Sequence, residues 1–204
     1  MTAQVPVPVT VLSRREFLEL GGIALVGLGL VPGRRAPAAA VEVIEMRSDA
    51  LGSRVWFDPI GLHVEPGTIV RWIVRENVHT TTAYHPRNDH HPLRIPERAV
   101  PWDSGFLVNP GDHFDVTLTV PGVYDYYCMP HEAAGMVGRI VVGNPGGPGA
   151  KPFDYWSGQA GTEHWRHVPD AARSAFPSVA RIMAEHRVHP RAAPAQRGIT
   201  SDDS

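Results

Sequence analysis

Cysteine, net charge and long apolar runs are all scarce in this chain. Cys128 is the single cysteine in 204 residues, so an intramolecular disulfide and a structural zinc site with paired thiolates are excluded. The formal net charge is −2, which lacks the basic excess that nucleic-acid binding requires, and no nucleic-acid partner is expected. The apolar stretch Leu20–Val31 is shorter than the roughly 20 residues that cross a bilayer. No membrane span is therefore expected in the mature chain.

Glycine and proline, by contrast, are abundant. Each occurs 20 times, which together is close to double their usual share and favours a turn-rich β architecture over a helical bundle. Hydrophobic residues make up 43% of the chain and charged residues 20%, as in ordinary globular domains. The 11 histidines that accompany the single cysteine are a first indication of metal chemistry.

The N-terminal residues carry the features of a bacterial export signal. The pair Arg14-Arg15 is followed by Phe and Leu, Leu20–Val31 is apolar, and Ala36–Ala40 offers a small-residue cleavage site. This segment resembles the twin-arginine signal, whose pathway exports folded proteins. We therefore predict an export signal at residues 1–40 and a location in the periplasm or cell envelope. An uncleaved membrane anchor is the alternative.

Strand patterns dominate residues 41–143, the predicted main domain. Six segments alternate apolar and polar residues or are rich in β-branched and aromatic residues, as strands are. They are 41–46, 54–64, 68–74, 114–120, 123–128 and 139–142. Pro59 and Gly61 interrupt the second segment, so we expect a bulged or bent strand there. This number of short strands without helical periodicity predicts an all-β sandwich.

Residues 84–104 depart from the strand pattern. They are rich in proline, histidine and arginine and form a long loop for a compact domain. His85, Asp89, His90 and His91 are either a second metal site or part of a solvated loop. Of the two, we favour the solvated loop.

The C-terminal extension, residues 144–204, begins with a linker rich in glycine and proline. Val179, Ile182 and Met183 fall on one face of a helix. We therefore predict a short helix at residues 177–188. We expect this helix to dock on its own domain, and an interface with a partner protein is the alternative.

A cysteine, a histidine and a methionine lie close together between two strand patterns. Two residues separate Cys128 from His131, and four separate His131 from Met136. Thiolate, imidazole and thioether groups together select copper, and an electron-transfer copper site combines two histidines, one cysteine and a weak axial methionine. The second histidine must come from elsewhere in the chain. The alternative is a free buried cysteine near a surface histidine and a core methionine.

His79 is a candidate for that second histidine, because it follows the strand pattern at 68–74. Together with this segment, the turn at Val120–Tyr124 and the stretch Tyr127–Gly138 resemble a known family. Over residues 41–142 the chain resembles the cupredoxins, the blue copper proteins of the plastocyanin, pseudoazurin and halocyanin group.

This resemblance implies a fold and a set of ligands. The fold is a Greek-key β-sandwich at residues 41–143 that binds one copper ion, which cycles between Cu(I) and Cu(II). His79, Cys128 and His131 are implied as the equatorial ligands and Met136 as the axial ligand. Plastocyanins commonly have Pro-His-Asn at the first histidine, whereas this chain has Val-His-Thr. We therefore expect the outer hydrogen bonds around Cys128 to differ from theirs.

The function implied by the resemblance is that of a type 1 (blue) copper protein, which carries single electrons between transient redox protein partners and turns over no substrate. Pro130 and Ala133–Gly135 predict a small apolar surface near His131, where a partner approaches. The alternative is a periplasmic copper carrier or storage protein, with the histidines of residues 84–104 assisting uptake. Multicopper enzymes need two or more such domains, and a binuclear copper centre needs two cysteines. The sequence predicts one such domain and has one cysteine, so neither is expected here.

Overall fold

Nine strands and two short helices form within residues 40–190, the part of the chain that the computed structural model describes. The strands are β1 (Val41–Ser48), β2 (Val55–Asp58), β3 (Gly61–Val64), β4 (Thr68–Val74), β5 (Thr82–Ala83), β6 (His113–Leu118), β7 (Gly122–Tyr127), β8 (Val137–Val142) and β9 (Arg187–Val188). The helices are α1 (Asp170–Ala175) and α2 (Val179–Glu185), and 3₁₀ helices lie at Met129–Ala134 and Pro148–Ala150. Apart from Ala40, the predicted export signal lies outside the described residues. Within residues 40–190, no helix has both the length and the apolar character needed to cross a membrane.

Two sheets pack face to face as a β-sandwich. The four-stranded sheet has the order β2-β1-β4-β6, and the five-stranded sheet has the order β5-β7-β8-β3-β9. Both are mixed, because β1 pairs with β4 and β3 pairs with β8 in parallel, whereas the other pairs are antiparallel. Aromatic rings fill the core between the sheets: the centroid of Tyr126 lies 4.8 Å from that of Phe57 and 5.2 Å from that of Trp72. The predicted all-β sandwich is confirmed.

The single bent strand expected at residues 54–64 is instead two strands in different sheets. β2 pairs with β1, whereas β3 pairs with β8. Pro59 lies between them and has no backbone N–H, so a ladder cannot continue through it. Gly61 then allows a close approach to the C-terminal extension, since a Cβ there would lie 2.8 Å from the side chain of Ile182. The chain therefore crosses from one sheet to the other at this point.

The C-terminal extension covers the outer face of the five-stranded sheet. Residues of β7 and β8 are buried on both faces. Tyr124 and Ile140 face the core between the sheets, whereas Val123 and Val141 pack against Ile182 of α2. The helix therefore docks on its own domain, as expected.

Helix α2 is shorter than the helix predicted at residues 177–188. The Ser178 side chain accepts a hydrogen bond from the Arg181 N–H at 3.1 Å and so caps the N-terminus one residue before Val179. At the other end, His186 has a φ of 59°, which is outside the helical range and ends the helix before β9.

A buried cluster of charges ties the loop at residues 84–104 and the extension to β7. Asp125 is fully buried and accepts hydrogen bonds from the Nε atoms of Arg94 and Arg139, each at 2.7 Å. Arg94, also fully buried, donates to the carbonyl oxygen of Gly149 at 2.7 Å. A buried charge is costly unless it is paired and hydrogen-bonded, and here each one is.

The expectation of a solvated loop at residues 84–104 holds at Asp89 and His90, which are exposed, but is wrong for residues 91–96, most of which are buried. Arg94 and Ile95 are fully buried and His91 is 2% exposed, whereas Asp89 remains exposed. The physical reason is the buried carboxylate of Asp125 on β7. Arg94 is buried because it pairs with this carboxylate, and its neighbours in the chain are buried with it. Charge pattern in a loop cannot show such a partner 31 residues away along the chain.

Candidate metal centre

The turn between β7 and β8 carries three of the four residues singled out by sequence. Cys128 follows β7, the 3₁₀ helix Met129–Ala134 contains His131, and Met136 precedes β8. The His131 N–H donates to the carbonyl oxygen of Cys128 at 3.0 Å, and the Met136 N–H donates to that of His131 at 3.1 Å. The Cys128 N–H closes the turn by donating to the Met136 carbonyl oxygen at 3.0 Å. The two ends of the turn are therefore held side by side.

His79 reaches the same point from the segment after β4. It forms an isolated antiparallel bridge with Leu107, in which its N–H donates to the Leu107 carbonyl at 3.1 Å and its own carbonyl accepts at 2.9 Å. The His79 side chain is fully buried. Its backbone is thus fixed from outside the turn that carries the other residues.

The side chains of His79, Cys128 and His131 converge. The Cys128 Sγ lies 3.3 Å from the Nδ1 of His131 and 3.7 Å from the Nδ1 of His79. One ligand atom from each residue lies within 4.8 Å of the others, and no other such group of three occurs in residues 40–190. Two imidazoles and a thiolate at this spacing fit a copper ion. The Met136 side chain is fully buried in the same core cluster as Cys128.

Burial changes the pKa of each of these three groups. It lowers the pKa of His79 to about 4, with a smaller contribution from the nearby His131 ring. It also lowers the pKa of His131 below the ordinary value, and it raises the pKa of the Cys128 thiol to about 11. Both imidazoles are therefore neutral near pH 7 and can donate a lone pair. The thiol has to lose a proton before it can bind a metal.

Thr80 supplies hydrogen bonds around Cys128 that sequence reasoning missed. Its backbone N–H donates to the Cys128 Sγ at 3.3 Å, and its Oγ1 accepts from the Met129 N–H at 2.8 Å. The Thr80 and Thr82 hydroxyls lie 3.1 Å apart. The available signal was position, since Thr80 directly follows His79 in the segment that departs from the plastocyanin pattern.

The histidines of the 84–104 loop are not gathered into a second cluster. His91 has both ring nitrogens engaged, one 2.8 Å from the Asn88 carbonyl oxygen and one 3.1 Å from Oε2 of Glu132. Asp89 pairs with Arg166 instead of a histidine. These contacts leave the suggested second metal site without support in residues 40–190.

At this end of the sandwich, the proposed ligand His131 and several apolar side chains reach the surface. His131 is partly exposed, whereas His79, Cys128 and Met136 are fully buried. Exposed apolar residues surround it along the chain: Met129, Pro130, Ala133 and Ala134 from the turn, and Phe106 and Val108 beside the partner of His79. An apolar surface near His131 is thus present.

Comparison with known proteins finds a matching family and several similar proteins. Residues 44–143 match the family of copper binding proteins described as the plastocyanin/azurin family. Chloroplastic plastocyanin of Fritillaria agrestis is 34% identical over 143 residues, which cover 67% of this chain and 80% of that protein. Chloroplastic plastocyanin of Hordeum vulgare is 60% identical over 37 residues, 18% of this chain and 24% of that protein, so this match spans only about a quarter of the relative. Native pseudoazurin from Hyphomicrobium denitrificans superposes with a TM-score of 0.43 at 27% identity, over 52% of this chain and 77% of that one.

Proposed function

Since this chain belongs to the plastocyanin/azurin family of copper-binding proteins, we propose that it is a type 1 (blue) copper protein that carries single electrons between redox partners. The observation that supports this most directly is the convergence of His79, Cys128 and His131, whose ligand atoms lie within 4.8 Å of one another. Two imidazoles and one thiolate belong to the donor set of an electron-transfer copper site. No substrate turnover is expected.

Each proposed ligand has a distinct task. His79, Cys128 and His131 would hold the copper ion, and Met136 would add a weak thioether donor. Bound copper supplies the one-electron couple between Cu(II) and Cu(I). The chain's own contribution is to keep the ligands in one arrangement: the Thr80 N–H orients the Cys128 Sγ, and the backbone hydrogen bonds of the turn fix the distance between its ends. Four protein ligands leave no open position for a substrate.

Partners approach at the end of the sandwich where His131 is exposed. His131 is the one proposed ligand with solvent-accessible surface, so it offers the shortest path between a partner and the centre. Apolar neighbours such as Met129, which is 44% exposed, can be buried without losing hydrogen bonds. Transient redox complexes have small interfaces of this kind.

We further propose that the protein works in the bacterial periplasm or cell envelope. The support is the sequence of residues 1–40, in which Arg14-Arg15 precedes an apolar stretch and a small-residue cleavage site. Delivery by the twin-arginine route suits a protein that folds before export. The copper-carrier alternative gains no support from the loop at 84–104, because His91 is buried and hydrogen-bonded through both nitrogens.

An optical and electrochemical experiment tests the proposal. The copper-loaded chain should absorb intensely in the visible through thiolate-to-Cu(II) charge transfer, and Cys128→Ser should abolish this band. His79→Gln should also remove it, whereas His113→Gln, an exposed histidine on β6, is the matched control and should leave it unchanged. A protein that takes up Cu(II) and stays colourless would contradict the type 1 site. A coloured protein without a reversible redox couple would favour the copper carrier.

A further inference from the structure

Glu132 holds an unusual position between two proposed copper ligands. It lies in the 3₁₀ helix Met129–Ala134, directly after His131, and it is the buried residue of that helix. The side chains around it in the turn face solvent. Apart from the partly buried proposed ligand His131, Glu132 is therefore the side chain through which this helix contacts the interior of the molecule.

Both carboxylate oxygens of Glu132 are bound by residues of the loop at 84–104. The Tyr84 hydroxyl donates to Oε1 at 2.7 Å, and the His91 Nε2 lies 3.1 Å from Oε2. The other ring nitrogen of His91 lies 2.8 Å from the Asn88 carbonyl oxygen, which can only accept a hydrogen bond. The Tyr127 hydroxyl also lies 3.1 Å from the same Nδ1 atom, so both ring nitrogens have polar partners and the orientation of the ring is fixed from both sides.

Tyr84 and His91 belong to a packed group of side chains next to the turn, here called the platform, which also contains Tyr127. The His91 ring stacks on that of Tyr127 with centroids 4.3 Å apart, and the Tyr84 and Tyr127 rings are 4.7 Å apart. Residues of the C-terminal extension, Val168 and Ala172, close the same buried cluster. The platform therefore combines the loop at 84–104 and the extension, the two segments that the minimal sandwich does not need.

Helix α1 of the extension also touches the turn directly. Gly135 has a φ of 85°, and a Cβ at this position would lie 3.2 Å from the carbonyl oxygen of Ala171. A side chain at this position would crowd α1, so glycine allows the turn to lie against this helix. Gly135 directly precedes Met136, so this approach to α1 falls on the backbone that joins the two proposed ligands.

We propose that Tyr84 and His91, covered by the extension, are positioning residues that clamp the ligand turn through Glu132. Hydrogen bonds to a buried carboxylate are among the stronger ones in proteins, and they join Glu132 to residues 48 and 41 positions away. With the clamp in place, His131 and Met136 keep one separation in the presence and absence of metal. The effect of the clamp on copper binding rests on the proposed function, whereas the clamp itself is a property of the metal-free chain.

Amide hydrogen exchange of the metal-free full chain tests the clamp. Tyr84→Phe removes one hydrogen bond to Glu132 and keeps the ring. His91→Phe keeps a stacked ring but removes the contact with Glu132 together with the contacts of Nδ1 with the Asn88 carbonyl and the Tyr127 hydroxyl. In Tyr84→Phe the amides of His131, Gly135 and Met136 should exchange about threefold to tenfold faster, as expected for the loss of one such bond, and in His91→Phe they should exchange at least as fast. Tyr155→Phe is the matched control, because its hydroxyl donates to the Leu93 carbonyl at 2.7 Å, in the same loop but with no bond to Glu132.

The conservative variant Glu132→Gln separates positioning from general stability. Its amide oxygen still accepts from Tyr84, and its amide group still faces His91, so amide exchange in the turn should stay within about twofold of the unmodified chain. Glu132→Ala removes both contacts and should accelerate exchange in the turn. Unchanged exchange at His131 and Met136 in the Tyr84 and His91 variants would overturn the clamp. So would an equal acceleration in Tyr155→Phe, since this would show a loss of stability throughout the molecule.

A copper readout distinguishes the clamp from the proposed function. In the loaded Tyr84→Phe protein, copper release to a chelator should be about threefold to tenfold faster and the charge-transfer band should shift or broaden, while Tyr155→Phe should match the unmodified chain. If neither the unmodified protein nor any variant shows the band, the type 1 site is contradicted. The exchange result then still decides whether the clamp exists. If all proteins show the same band and release rate, the clamp fails and the type 1 site stands.

Discussion

The backbone N–H of Thr80 donates a hydrogen bond to the Sγ of Cys128 at 3.3 Å. The two residues lie 48 positions apart, so this contact joins the segment that carries His79 to the turn that carries the other proposed ligands. A second bond, from the Met129 N–H to the Thr80 Oγ1 at 2.8 Å, joins the same two segments next to the first. Thr80 thereby holds both sides of the centre in register. A hydrogen bond to a metal-binding sulfur also withdraws charge from it and so tunes the reduction potential.

Replacing the Thr80 side chain should affect stability and colour together. Thr80→Val keeps the shape and the backbone N–H but removes the part-buried hydrogen bond from the Met129 N–H, which costs about 0.5–1.5 kcal/mol. We expect a loss of this size in the free energy of unfolding and a shift of the charge-transfer band of the copper-loaded protein. Thr68→Val is the control, because its hydroxyl donates to the Glu65 carbonyl at 2.7 Å at the start of β4, the end of that strand away from the segment that carries Thr80. It should lose stability without any change in absorption, and a band unchanged in Thr80→Val would contradict the role given to this side chain.

Copper binding should become tighter as pH rises. Burial raises the pKa of Cys128 to about 11 and lowers that of His79 to about 4, so between pH 7 and pH 9 the metal displaces one proton, from the thiol. One proton released per ion means that affinity rises about tenfold per pH unit in this range. At lower pH, protonation of His131 should make the dependence steeper. Competition with a chelator at three pH values measures the slope, and a slope near zero would show that the thiol is already ionised or does not bind.

Strand positions were the most predictable part of this molecule. β4 spans Thr68–Val74, the same residues as its sequence pattern, because dense β-branched and aromatic residues with alternating burial leave little choice. β5 at Thr82–Ala83 and β9 at Arg187–Val188 were missed. Two residues show no periodicity, and both strands exist only because a neighbouring strand offers hydrogen bonds to them.

The candidate site divides in a similar way. The spacing of Cys128, His131 and Met136 and the position of His79 could be read directly, and the structure brings the three nitrogen and sulfur donors together. The clamp on Glu132 could not be read from sequence. In a chain with many exposed charges, a glutamate in a short turn is indistinguishable from a solvated one until its partners, Tyr84 and His91, are brought beside it by the fold.

Export should depend on the first arginine pair. If the twin-arginine interpretation is right, Arg14→Lys with Arg15→Lys should leave the uncleaved precursor in the cytoplasm, because that pathway recognises the pair itself. The chain offers a matched control in Arg34-Arg35, a second pair after the apolar stretch, whose replacement by lysines should not change delivery. Fractionation of the producing bacterium measures the outcome. Unchanged delivery of the Arg14, Arg15 variant would indicate another route or a membrane anchor.

The role of Met136 separates an electron carrier from a copper carrier. Its thioether is the weakest proposed ligand, so its removal should disturb the redox balance more than the binding of copper, which His79, Cys128 and His131 still hold. We expect Met136→Leu to retain copper and to raise the reduction potential, because Cu(I) tolerates three ligands better than Cu(II). Met136→Gln should lower the potential, since an amide oxygen favours Cu(II). Met183→Leu, on helix α2 and away from the centre, is the control and should leave the potential unchanged. Voltammetry on the four proteins decides between the outcomes: if neither Met136 variant moves the potential, Met136 is not a ligand, and if the unmodified protein has no reversible couple, the chain carries copper rather than electrons.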